Sequence, residues 1–163
     1  MLPSNRRGSA KRCCASLDDL MFLLDTNVVS ELRRPRRSNP RVAAWADSVA
    51  PDDLFLSSVT ILELETGALL LARRDRSQGS LIQQWIEDRV LTAFADRILA
   101  VDTAVARRCA GLHVPDPRSY RDSLIAATAL VHGLIVATRN RADFEPMAVP
   151  VLNPWENAAP SGA

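Results

Sequence analysis

Lysine is all but missing from this chain. Lys11 is the only one, and the rest of its 20 basic residues are arginine. Set against 19 acids they leave a net charge of +1. No chain-wide positive field therefore draws in nucleic acid, and any such binding has to use local patches. Arginine suits a forked grip on phosphate, although an arginine- and alanine-rich chain equally reflects codon composition. No apolar run reaches membrane-spanning length. Cysteine is scarce too. Cys13, Cys14 and Cys109 are odd in number and two are adjacent, which argues against a disulfide or metal framework and for reduced thiols in the cytoplasm. No export signal is expected from the Arg6–Arg7 pair, because no clean apolar core follows it and Asp18 and Asp19 interrupt what there is.

What is present fits one globular domain. The 163 residues, 47% hydrophobic and 24% charged, are enough to bury a proper core. The stretch around which the rest is arranged is MFLLDTN, Met21 to Asn27. Its apolar run reads as a buried strand of a parallel sheet, with Asp25 at the strand's end. Thr26 or Asn27 can cap a following helix. Open α/β sheets collect ligands outside the carboxyl ends of their strands, so Asp25 stands where such folds do chemistry.

Residues 1–20 have no helical or strand period and are expected to be a disordered or loosely attached extension, as an upstream start-codon choice would leave. VVSELRR after Asp25 reads as a short helix stopped by Pro35. Arg33, Arg34, Arg36 and Arg37 flank that proline, as a solvated turn or as a phosphate-contacting patch. Asn39 followed by Pro40 starts a second helix, with Val42, Trp45 and Val49 on one apolar face. LFLS, Leu54 to Ser57, is a strand candidate, followed by a helix over about Val59 to Arg74. Within it Glu63 and Gly67 share a face. A helix-interior glycine points to close approach of something else, and Glu63 among apolar neighbours points to a paired or metal-bound acid.

Arg73 to Gly79 reads as a polar break, and Ser80 to Phe94 as one helix whose inner face is Leu81, Ile82, Trp85, Ile86 and Val90. ILAVD, Ile98 to Asp102, is a third strand, with Asp102 as a helix N-cap. After the two-proline loop His113 to Ser119, Tyr120 to His132 reads as a largely buried helix with Asp122 in its first turn and Gly133 as its stop. LIVAT, Leu134 to Thr138, repeats the pattern seen at Asp25 and leads into Asn140 and Asp143. VPVLNP is a last short strand, and residues 156–163 read as a flexible tail. Strands and helices alternate, which predicts a three-layer α/β/α fold around a mostly parallel sheet of four to five strands.

In that architecture Asp25, Glu63, Asp122 and the Asn140–Asp143 turn can converge on one crevice. Carboxylates so placed raise one another's pKa. A hard divalent cation, Mg²⁺ or Mn²⁺, is the simplest remedy, and such an ion activates water against a phosphodiester. The spacing stops there: an acidic metal site without a named substrate.

The motifs go further. LLDTN (Leu23 to Asn27), SVTILELETG (Ser58 to Gly67), RDSLIAATALVHGL (Arg121 to Leu134), ATRNRADF (Ala137 to Phe144) and VLNPW (Val151 to Trp155) follow one another in an order and spacing that resembles PIN-domain ribonucleases, specifically VapC-type toxins of the FitB-like branch. The resemblance covers nearly all of 21–155. It implies a Mg²⁺-dependent endoribonuclease that cuts structured RNA, is silenced by a cognate antitoxin, and forms a homodimer. It implies Asp25 and Asp122 as principal metal ligands and Glu63 as an inner- or outer-shell ligand. Some relatives carry an acid where this chain has Asn140; in others the DF-pair aspartate, here Asp143, fills the fourth position, so one metal ion or two stays open. Thr26, Asn27, Thr138 and Asn140 take supporting roles, the hydroxyls and the Asn140 amide by orienting a metal-activated water, and Arg121 or Arg139 would neutralise phosphate.

Two other classes compete. A haloacid-dehalogenase-type phosphatase also uses an aspartate at the end of the first strand, but it needs a second one two residues on, where this chain has Asn27. A degenerate PIN domain that only binds RNA or protein is the other alternative, and Asn140 is the feature that favours it.

Overall fold

The protein is seen here in a computed structural model that describes residues 20–156. The expectations for residues 1–19, Cys13 and Cys14 included, and for 157–163 lie outside the described residues. Five parallel strands form one sheet in the order β3-β2-β1-β4-β5. They are β1 (Phe22–Leu24), β2 (Leu54–Ser57), β3 (Ile98–Leu99), β4 (Ile135–Ala137) and β5 (Val151–Leu152). Leu23 stands opposite Phe55 of β2 and Val136 of β4. The first strand in sequence is therefore the middle one in space, walled by protein on both faces, as its unbroken apolar run requires.

Side chains alternate across β1. Phe22 and Leu24 join a core with Val28, Trp45, Leu56, Leu64, Ala68 and Ile86. Leu23 joins the opposite one with Val59, Ile125, Ala129, Val136, Phe144 and Met147. The first is roofed by α1 (Thr26–Leu32), α2 (Pro40–Ser48), the later turns of α3 (Ser58–Ala72), and α4 (Arg76–Trp85) with its continuation. The second is roofed by α6 (Tyr120–His132) and the short α7 (Arg141–Phe144), while α5 (Thr103–Leu112) packs on α6 through Val105, Cys109 and Ala127. This is the three-layer α/β/α arrangement the sequence predicts.

Several boundaries follow local chemistry as expected. Asn39 accepts from the Arg41 N–H with Pro40 in the first turn of α2. Gly133 ends α6 in the left-handed region at φ 67°, which only glycine enters freely, and Ser119, read only as the last residue of the loop, caps its start. Asp102 caps α5 by accepting from Val105 N–H at 2.9 Å. That bond removes it from the strand: β3 is two residues, Ile98–Leu99, rather than running to Asp102. Val42 and Trp45 are core.

The helical hairpin α3–α4 departs from expectation. Gly79 is not part of a break but lies inside α4, where a Cβ would sit 2.4 to 2.6 Å from backbone and side-chain atoms of Ala72. Its missing side chain lets the two helices touch. Gly67, read as the close-approach glycine, has nothing within 4 Å of the space a Cβ would take. After Trp85 the helix widens into a π-helical turn, Ile86–Leu91. Ile86 and Val90 are buried as expected, whereas Leu81 is 57% exposed rather than inward.

The two glycines should respond oppositely to substitution. Gly79→Ala is expected to lower stability by about 1–3 kcal/mol, the usual range for overpacking. Gly67→Ala should raise it by about 0.5–1 kcal/mol, because alanine is the better helix former where space is free. Urea unfolding of the two variants checks both signs.

Candidate active site

Strand β1 ends at Leu24, and at the next residue, Asp25, the chain turns directly into α1. Asp25 is itself the N-cap: its backbone is extended (φ −72°, ψ 157°) and its Oδ1 accepts from Thr26 N–H at 2.8 Å. The expectation that Thr26 or Asn27 does the capping is corrected, for a simple reason. An extended residue with a short acid reaches the first free amide of the turn, and this releases the next two side chains for other work. Asn27 Nδ2 donates to Asp25 Oδ2 at 2.9 Å and lies 3.1 Å from Thr138 Oγ1. The Thr138 hydroxyl, fully buried, donates to the same Asp25 Oδ2 at 2.7 Å and accepts from Asn140 N–H at 3.0 Å. Asn27 Oδ1 accepts from Arg139 N–H at 3.3 Å. On the other side the Thr26 hydroxyl donates to Glu63 Oε2.

Asp25 is 7% exposed. Burial pushes its carboxyl above the ordinary aspartate value; the bonds from Thr138 and Thr26 pull it back, and the charges of Glu63 and then Asp122 add to the upward push. Asp25 thus feels the charges of both Glu63 and Asp122, the two acids the motifs single out beside it. Asp143 is not among the charges acting on Asp25. It is exposed in α7, its N–H bonded to the Asn140 carbonyl. Arg121 stands 3.8 Å from Glu63 Oε1 with its own side chain 61% exposed, so the pair is solvent-screened and weak.

Beside the acids opens a groove of about 300 Å³, lined among others by Thr26, Arg33, Glu63, Gly67, Ile82 and Trp85. Of the arginine cluster only Arg33 reaches it; Arg34, Arg36 and Arg37 are exposed around Pro35. Among the described residues, no three histidine, cysteine, aspartate or glutamate side chains converge tightly enough to hold a metal ion on their own. The donor chemistry nevertheless fits a hard dication that keeps several waters. The donors are all oxygen, and one buried carboxylate is burdened by burial and by two neighbouring acids.

The PIN domain family profile matches residues 22–149. The chain belongs to the PIN domain family. It is 40% identical over 147 residues to Toxin FitB of Neisseria gonorrhoeae, covering 84% of this chain and 100% of that protein. It is 38% identical over 143 residues to VapC ribonuclease Y4jK of Sinorhizobium fredii, covering 85% and 100%. Among solved structures it is similar to that of FitAcB from Neisseria gonorrhoeae, with a TM-score of 0.76 and 39% identity over 84% of this chain and 100% of that one.

In this PIN domain the sequence reading missed how Asp25 is held. The Asn27–Thr138 pair on Asp25 Oδ2 joins residues 111 apart, and no local pattern announces it. The groove had a partial signal, since Glu63 and Gly67 share a helix face and both line it. Trp85, read as core, lines it as well.

The raised pKa of Asp25 has a measurable consequence. A group whose folded value lies above its unfolded one favours the fold fully below the unfolded value of 3.8 and loses that contribution as pH rises through the folded value. Asp25→Asn is neutral throughout. Without divalent ions, raising the pH from acid to neutrality should lower the melting temperature of the parent relative to that of the variant, as melts of both across that range would read. A difference between the two melts that stays constant with pH, or moves the other way, contradicts this electrostatic account.

Proposed function

We propose that this PIN protein is a Mg²⁺-dependent endoribonuclease, a toxin held silent by a cognate antitoxin. The observation that carries the reading is Asp25: a nearly buried carboxylate at the end of the central strand, gripped by fixed donors and facing two further acids. Such a group is poorly stabilised until a cation arrives. The relatives support the substrate class and the partner, since they carry the names toxin and VapC ribonuclease, and a similar chain, 25% identical, comes from a toxin–antitoxin complex of Klebsiella pneumoniae.

Asp25, Glu63 and Asp122 would hold Mg²⁺, or Mn²⁺ in its place. The bound ion supplies positive charge against the phosphodiester and lowers the pKa of water. The chain does the positioning. Asn27 and Thr138 fix Asp25 Oδ2, and Thr26 orients Glu63. Asn140 joins this frame through its backbone N–H on Thr138. Arg121 and Arg139, both exposed at the rim, meet the phosphate. Asp143 stands apart from the acids acting on Asp25, which favours a single ion. Water attacks phosphorus in line, the bond to the leaving oxygen breaks, and the strand is cut. The catalytic domain spans 21–155, with 1–20 an appended segment and 156–163 a tail. It acts on cytoplasmic RNA as a homodimer.

Asp25→Asn should lower Mg²⁺-dependent cleavage of total RNA by at least about 100-fold, the scale for losing a ligand or its orientation, with an unchanged circular dichroism spectrum. Retained metal-dependent cleavage in that variant overturns the assignment. Light scattering on the purified chain should give twice the monomer mass; a monomer at every concentration refutes the dimer.

A further inference from the structure

The loop that leads into α6 has little burial to hold it. Val114, Pro115, Asp116 and Pro117 are all exposed, and its two prolines have no N–H to donate. The N–H of Arg118 goes to the ring of His113, whose Nδ1 accepts it at 3.2 Å. One residue later Ser119 caps α6. Its Oγ accepts from the Asp122 N–H at 3.4 Å, and its carbonyl accepts from the Ser123 N–H at 3.0 Å and from the Ser123 hydroxyl at 2.7 Å. At the next residue the Tyr120 ring lies against the imidazole, with the ring centres 4.5 Å apart. The His113 ring therefore holds the residues on both sides of the cap that fixes Asp122. Its own base is firm. His113 closes α5, with its backbone N–H on the Ala110 carbonyl, and α5 packs on α6 through Val105, Cys109 and Ala127.

We propose that His113 is a positioning residue for Asp122: its ring, with Nδ1 free to accept and the proton on Nε2, ties the loop to α5 and so sets the first turn of α6 for metal binding. The inference rests on the metal site of the nuclease reading and adds a residue outside the oxygen donors. The tautomer follows from the bond, because a ring nitrogen that accepts an N–H carries no proton of its own. Nε2 is buried, and among the described residues it has no hydrogen-bond partner. A buried donor left unpaired opposes folding. An apolar ring of similar size would pack there without that cost, so stability alone does not account for an imidazole at this place. What the imidazole adds is the acceptor for Arg118. Packing does not fix the ring by itself, since a cavity of about 410 Å³, lined among others by Cys109, Tyr120 and Leu124, opens beside it. The charge of Asp122 reaches Asp25 from the first turn of α6. A ligand has to be held to within about 0.5 Å of its working position, and a first turn whose cap can drift does not meet that demand.

Three substitutions in the full chain separate the roles of the ring. His113→Phe keeps a ring against Tyr120 and removes both the unpaired donor and the acceptor. It should melt no lower than the parent, yet bind Mn²⁺ at least about fivefold more weakly, a step below the loss for groups that touch a metal ligand directly. His113→Asn places its Oδ1 near the position of Nδ1. It should return Mn²⁺ affinity to within about twofold of the parent, because an acceptor for Arg118 is restored without the stacked ring. His113→Gln, whose amide reaches the place of Nε2, should not. Electron paramagnetic resonance of the free ion reads Mn²⁺ binding well below the melting temperature. Nitrogen NMR of the parent needs no substitution at His113. The chain has two histidines, so His132→Gln assigns the signals, and the His113 ring should carry its proton on Nε2. Parent-level Mn²⁺ affinity in the Phe variant, an Asn variant no better than Gln, or a proton on Nδ1 overturns the proposal. So does Mn²⁺ binding that falls only in proportion to lost fold. A parent that binds no Mn²⁺ defeats the metal reading and this proposal together. A set that follows the expected order of Mn²⁺ affinity, from a parent that never cuts RNA, upholds the role of His113 and defeats the nuclease reading instead.

Discussion

The parallel register of β1 and β4 is the constraint on which the site depends. Leu24 stands beside Ala137, and one backbone bond carries the pairing a residue further, from Asp25 N–H to the Ala137 carbonyl at 3.0 Å. That bond holds two strand ends level, so residues from opposite ends of the chain share a hydrogen-bonded cluster. A slip of one residue would turn Leu23 toward the wrong core and carry Thr138 away from Asp25. The apolar run of β1 therefore does two things at once: it fills both cores, and it anchors the carboxylate that Asn27 and Thr138 address.

The polar cluster sets opposing pulls on one buried carboxyl group. Thr26 N–H, Asn27 Nδ2 and the Thr138 hydroxyl all point at Asp25. Donors of this kind stabilise the ionised form, while burial and the nearby acids oppose it. Opposition wins, and the carboxyl stays above its ordinary range. A site in that condition is prepared for positive charge. The cation that the described residues offer nearby, Arg121 beside Glu63, is too exposed to supply it with any strength.

Legibility differed from element to element, and for physical reasons. Strand β2 and helix α6 have the predicted bounds, because an apolar run between turn residues in one case, and a Ser119 cap with a Gly133 stop in the other, are signals carried by adjacent residues. The edge strand β3 came out short because Asp102 serves the helix that follows rather than the sheet. The α3–α4 hairpin was misread at both glycines. A glycine's local sequence does not say whether another helix lies against it, and here Gly79 has Ala72 in contact while Gly67 faces the groove. The acids were legible as residue types at strand and helix ends, yet Asp143 sits in the same kind of position and stays outside the cluster.

Taken alone, the sequence determined the alternating architecture, the burial of the first strand, the caps of α2 and α5, the stop of α6, and the motif series shared with the PIN domain family. All of these rest on hydrophobic period, turn chemistry and short-range hydrogen bonding. Only the tertiary structure decided which acids feel one another, that Asp25 rather than its neighbours caps α1, and that Asn27 and Thr138 grip the same oxygen. It alone set Arg33 on Trp85 and Arg139 on Trp155. Those relations depend on distances between segments far apart in the chain, and such distances are set by sheet order and helix packing rather than by any run of neighbouring residues.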